Sequence, residues 1–203
     1  MLDYIKHYIL SKCKFEDLMA FLEFSNKYIA ENIKTECNFK NQINGVFKME
    51  NVLWRFVKNQ ISPLTNELEI RTIEEAMETP FDYVNQHIET ALQHYSDNEK
   101  PDFRNSIKEA ISAVEAASKI LSKSSKSGLA QLFKELESKG LYIDPALKSA
   151  FNSLYGWTSG KSGIRHAKMD MTKIGQEEAK YMLVSCSAFV HYLIEKATDK
   201  EII

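Results

Sequence analysis

Residues 100–123 read KPDFRNSIKEAISAVEAASKILSK, and no other stretch restricts the fold so far. Phe103, Ile107, Ala110, Val114, Ala117 and Leu121 alternate at spacings of four and three, while Ala113, Ala116 and Ile120 add a second apolar face. One apolar stripe can be covered by one neighbour, whereas two faces need neighbours on both sides. The spacing therefore predicts a central helix, entered at Pro101 and wrapped by others.

The rest of the chain supplies helices to do the wrapping. Up to about residue 48, Phe15, Leu18, Met19, Leu22, Phe24, Tyr28, Ile29 and Ile33 form an aromatic-rich helical pattern. Residues 52–64, VLWRFVKNQISPL, break it: two short β-prone runs flank Lys58-Asn59-Gln60, and Pro63 suits only an edge or exit, so a small hairpin is expected there. Trp54 and Phe56 could stack on a base or glue the hairpin to helices, and the second use asks less. Helical pattern resumes after Asn66, again after Pro80, near 128–138 and 145–155 with Gly140 and Gly156 read as caps, and finally after Gly175. The expectation is an all-α bundle with one inserted β-hairpin, a single domain over 1–203. Residues 1–100 hold the N-terminal helices and hairpin, and residues 101–197 hold the core. No repeat or Pro/Gly/Ser-rich linker divides it.

Charge and cysteine content narrow the function. Lysine and arginine number 26 against 28 acids, for a formal charge of −2, so no general positive field draws the chain to nucleic acid or lipid and any RNA contact must be local. The three cysteines lack metal-ligand spacing, and Cys186 falls in an apolar run, which fits a small core residue in a reducing cytoplasm. No apolar run approaches membrane-spanning length, and MLDYIKHYIL has no cleavage pattern. The expectations are a cytoplasmic location, no membrane, no metal and no cofactor.

The remaining signal is LYGWTSGKSGIRHA at 154–167, which holds three of the seven glycines. A phosphate-binding loop needs four residues between its glycines and a strand before it. Here Trp157, Thr158 and Ser159 give three, and the preceding residues have helical spacing, so the loop fails on both counts. Arg165-His166 join a permanent cation to a group that titrates near neutrality. That pair can hold a phosphodiester and move protons on ribose oxygens without a metal. Equally, Arg165 can pair with a carboxylate and His166 can bond a turn.

The strings PDFRNSIKEAISAVEAASKIL, LYGWTSGKSGIRHA and EEAKYMLVSCSAFVHYLIEK together resemble the helical domain of AbiJ-type abortive-infection proteins of bacteria, within the broad HEPN superfamily. The resemblance runs over roughly 40–197. It implies a helical bundle, a homodimer, and in active members a metal-independent endoribonuclease of antiphage defence. The HEPN pattern places a histidine four to six residues after an arginine, whereas Arg104-Asn105 is followed by Glu109. The family pattern is therefore incomplete here, and catalysis would need a composite set of Arg104 and Glu109 from the long helix with Arg165 and His166 from the loop, Glu109 orienting the imidazole. Asn105, Lys108, Tyr155 and Trp157 would contact RNA. The alternatives are a non-cutting dimerisation or interaction domain and a nucleotide or small-molecule sensor, with any effector or antitoxin partner undefined by the sequence.

Overall fold

The computed structural model describes residues 2–33, 38–126, 128–159 and 174–203. Among them the chain is helical except for one two-stranded antiparallel hairpin, the all-α architecture with an inserted hairpin that the periodicity predicts. It gathers into two compact units: Met1–Glu67 with Ser96–Pro101, and Leu68–Tyr95 with Asp102–Ile203.

The first unit holds α1 (Leu2–Ser11), α2 (Phe15–Asn32), α3 (Phe39–Met49), β1 (Arg55–Val57) and β2 (Gln60–Ser62). Glu16 and Asp17 favour the start of α2 by meeting the positive end of its dipole. The hairpin pairs Phe56 with Ile61 across a two-residue turn in which Lys58 takes φ 53°, the left-handed conformation such turns demand. Two strands leave two open edges, and each edge is closed by a side chain. Asn44 on α3 accepts from the Phe56 N–H at 2.7 Å and donates to its carbonyl at 3.2 Å. Glu23 on α2 accepts from the Ile61 N–H at 2.6 Å. The strand pair thereby serves as a core layer: Phe56 and Ile61 are fully buried with Met19 and Phe47, and Trp54 packs its ring 5.3 Å from Phe15. Trp54 and Phe56 are spent on helices, as the glue reading requires.

The second unit is built on α6 (Phe103–Ser122), with α7 (Leu129–Ser138), α8 (Pro145–Ser159) and α9 (Gln176–Asp199) all packed against it. The unit also holds α4 (Glu67–Ala76) and α5 (Asp82–Ser96), which lie earlier in the chain. Ala110, Ala113, Ala117 and Ser118 on α6 and Ala179, Cys186 and Ser187 on α9 are small and fully buried, which lets the two longest helices approach closely. Burial pushes the Cys186 thiol up to about 12, so it is an inert core residue. Val84, Ile88, Ala91, Leu92 and Tyr95 bury one face of α5, and the Tyr95 ring meets Phe103 at 6.0 Å.

The caps separate two glycines that look alike in sequence. Gly140 takes φ 87° just past α7, and the Leu141 N–H reaches back to the Leu136 carbonyl at 3.1 Å. Gly156, expected to end its helix, lies inside α8, which continues through Trp157 to Ser159. A glycine stops a helix where the chain turns left-handed, and Gly156 is not among the positive-φ glycines. No described helix is long and apolar enough to cross a membrane.

Candidate functional site

On α5, Tyr83 and His87 are four residues apart and share a side of the helix. His87 stands beside the buried stripe formed by Val84, Ile88 and Ala91, at its edge. Glu109 occupies the matching edge of α6, next to buried Ala110. Where these edges meet, His87 Nδ1 lies 2.7 Å from Glu109 Oε2, with the imidazole side chain 36% exposed and the carboxylate 20%. A carboxylate at Nδ1 fixes the ring and places a proton on that nitrogen, leaving Nε2 as the basic position.

The imidazole forms part of the wall of an open cleft of about 320 Å³, lined also by Tyr83, Ser112, Glu115, Ala116, Lys119 and Ile120. Five of these seven residues come from one face of α6, the face left over once Ile107, Ala110, Val114, Ala117 and Leu121 turn inward. Tyr155 on α8 donates its hydroxyl to Glu115 at 2.9 Å, which ties the far wall to a third helix. The cleft combines an oriented imidazole, a lysine cation, a carboxylate and a phenol. That set can bind a phosphate-bearing or hydroxyl-bearing ligand and exchange a proton with it.

The residues expected to form the site are described only in part. Glu109 is at the heart of the pair, and among the described residues its imidazole partner is His87. Arg165 and His166 lie outside the described residues. Arg104 and Lys108 are exposed on α6 and are not among the residues lining the cleft. Asn105 is committed to the helix start. Its backbone N–H reaches Asp102 Oδ1 at 3.0 Å and its amide reaches Oδ2 at 2.7 Å. Partial burial pushes the Asp102 carboxyl up, but both Asn105 bonds, the nearby His94 and the Arg104 N–H outweigh it and hold the carboxyl below its ordinary value. Tyr155 touches the cleft through Glu115, and Trp157 is 43% exposed on α8. His87 was missed because a histidine at a helix edge gains meaning only from the helix packed beside it.

With this geometry fixed, comparison with known families adds one finding. Residues 1–79 match AbiJ N-terminal domain 4. The first part of the chain, from α1 through the hairpin to the end of α4, is therefore AbiJ-like, similar to abortive-infection proteins. The match ends before α5, so His87, Glu109 and the strings at 101–121, 154–167 and 177–196 that carried the resemblance all fall beyond it. No curated protein and no solved structure matches the chain.

Proposed function

We propose that this chain acts in bacterial antiphage defence and that its second unit cleaves RNA without a metal, using His87 as the proton-transfer group and Glu109 to orient it. The similarity of residues 1–79 to an abortive-infection domain supports the first half. The observation that carries the second is the 2.7 Å His87–Glu109 pair on a cleft wall that also bears Lys119. In the proposed reaction, Nε2 of His87 removes the proton of a ribose 2′-hydroxyl, and that oxygen attacks the adjacent phosphorus. The bond to the 5′-oxygen of the next nucleotide breaks, and that oxygen takes up a proton from water. The products are a 2′,3′-cyclic phosphate and a free 5′-hydroxyl. Lys119 offsets charge gathering on the phosphate, and Tyr83 offers a ring for a neighbouring base.

The same pair has a structural reading, as a tie between α5 and α6, and one experiment separates the two. Purified protein is incubated with end-labelled single-stranded RNA in excess EDTA. Cleavage with cyclic-phosphate ends is expected, and it should be lost in His87→Ala while the thermal midpoint stays close to that of the parent. A tie alone predicts no cleavage in either protein and a stability loss in His87→Ala on the order of 1–3 kcal/mol from the carboxylate left without its partner. Cleavage that appears only with magnesium would also overturn this reading.

A further inference from the structure

Helix α2 has a face that the hairpin does not use. Met19 and Leu22 turn toward Phe56 and Ile61, while the opposite side carries Lys14 at the cap, Asp17, Phe21, Phe24, Tyr28 and Glu31. These six recur at spacings of three and four, the a and d positions of a heptad, so they form one narrow seam along the helix. All six are exposed. The rings of Phe21, Phe24 and Tyr28 remain 52%, 65% and 53% exposed, and Phe24 and Tyr28 stack on each other at 6.1 Å. Single exposed apolar residues are ordinary, but three adjoining aromatic rings in one seam form a patch that favours a partner.

The order of residues along the seam says which partner. A cation stands at one end and an anion at the other. Asp17, an acceptor, lies three residues in from the first end, and Tyr28, a donor, lies three in from the second. Spacing of 3-4-3-4-3 reads the same in both directions. A second copy of α2 laid antiparallel, with its two-fold axis between residues 22 and 23, therefore sets Lys14 opposite Glu31, Asp17 opposite Tyr28 and Phe21 opposite Phe24. Symmetry gives each pair twice. A parallel copy would set lysine on lysine, aspartate on aspartate and glutamate on glutamate, which repel. We propose that α2 is the seam of an antiparallel homodimer, with the aromatic rings at its centre and the charge pairs fixing direction and register.

A groove beside the seam fits the same occupant. Tyr8, Ile9 and Cys13 on the α1 side and Asp17, Leu18 and Phe21 on α2 enclose about 160 Å³, with nearly all of the lining apolar. In the antiparallel arrangement, Phe24 of the partner subunit comes down next to Phe21, at the mouth of that groove, where an aromatic anchor is worth most. This assembly does not depend on the His87 chemistry and stands or falls separately from it.

Light scattering coupled to size exclusion on the full chain, over roughly 1–100 μM, reads the dimer directly. A dimer is expected. Phe24→Glu should yield monomer with an unchanged circular dichroism spectrum, because the side chain is exposed within one copy. Lys14→Glu should weaken the dimer by roughly tenfold or more, as should Glu31→Lys, through like charges at both ends of the seam. The double variant Lys14→Glu/Glu31→Lys recreates opposite-sign pairs in the antiparallel register and should recover association. A parent chain that is monomeric at about 100 μM overturns the proposal. So does a dimer indifferent to Phe24→Glu, or a double variant no stronger than either single one.

Discussion

The two units hide their apolar surface to different degrees. In the second unit, α6 alone buries Ile107, Ile111, Val114 and Leu121 completely, and α7 and α9 add whole stripes of their own. In the first, the buried cluster is Met19, Phe47, Phe56 and Ile61, while Tyr4, Phe21, Phe24 and Tyr28 stay in solvent. The second unit is held by close-packed helices. The first leans on polar clasps, Asn44 and Glu23, that turn a three-residue strand pair into a core layer. The difference teaches that length of helix is not what makes a unit stable here: α2 has 18 residues, yet it spends a full face on something other than its own core.

The largest effect should come from the packed unit. Ile111→Ala removes a fully buried side chain of α6, and a loss of about 2–5 kcal/mol is expected in denaturant unfolding, from lost transfer energy and the cavity left behind. A loss below about 1 kcal/mol would mean that α6 is not the rigid centre of its unit, and the contrast between units would collapse.

The clasp in the first unit comes next. Asn44→Ala deletes the acceptor for the Phe56 N–H and the donor to its carbonyl together. About 1–3 kcal/mol should be lost, because a partly buried strand edge is left unsatisfied. Amide hydrogen exchange should localise the change to residues 54–62, and protection there identical to the parent would show that the hairpin does not need the clasp.

Two glycines give a smaller, sharper test within the second unit. Gly156 sits inside α8 with nothing within 4 Å of where a Cβ would point, so Gly156→Ala should stabilise by about 0.5–1 kcal/mol. Gly140 at φ 87° should respond with the opposite sign, with Gly140→Ala costing about 1 kcal/mol. Thermal melts of the two variants moving in the same direction would contradict the assignment of one to a helix interior and the other to a cap.

That glycine pair also shows how far the sequence can be read. Periodicity carries the central helix through Ile107, Ala110, Val114, Ala117 and Leu121, all fully buried, but of the second apolar face only Ala113 is covered, while Ala116 and Ile120 line the open cleft; the hairpin is legible because Lys58-Asn59 interrupts two β-prone runs. Gly156 was misread because a glycine marks a helix end only when the backbone turns left-handed, and composition does not encode φ. The Asp102–Asn105 pair was legible as well, because Asp102 three residues before Asn105 at a helix start is the spacing of a cap. His87–Glu109 was out of reach for a different reason: each residue borders its own helix's apolar stripe, and their meeting depends on α5 lying beside α6, which neither stripe states. The family match adds a parallel lesson, since it covers residues 1–79, while the three strings quoted for the family all lie beyond them.

The smallest expected effect sets the two units against each other in acid. Burial pushes the Glu23 carboxyl above its ordinary value; the hydrogen bond from the Ile61 N–H opposes this and the nearby Asp97 charge reinforces it. Asp102, in the other unit, is held below its ordinary value. The two therefore act with opposite sign. Folded Glu23 binds its proton more readily than the unfolded chain does, so its contribution to stability improves as pH falls through the raised value toward the ordinary 4.5. Folded Asp102 gives up its proton more readily, so its contribution is full above the ordinary 3.8 and is lost as pH falls through the lowered value. Glu23→Gln keeps an oxygen for the Ile61 N–H but removes the charge. It should leave the fold intact, raise stability near neutral pH by a few tenths of a kcal/mol, and flatten the pH dependence just above 4.5. Asp102→Asn should instead remove stability at neutral pH and flatten the profile below 3.8. Urea midpoints measured from about pH 3 to pH 7 on the parent and both variants decide it. Profiles that flatten in the same window would show that the Glu23 clasp and the Asp102 cap respond to protons alike, against the division between the two units.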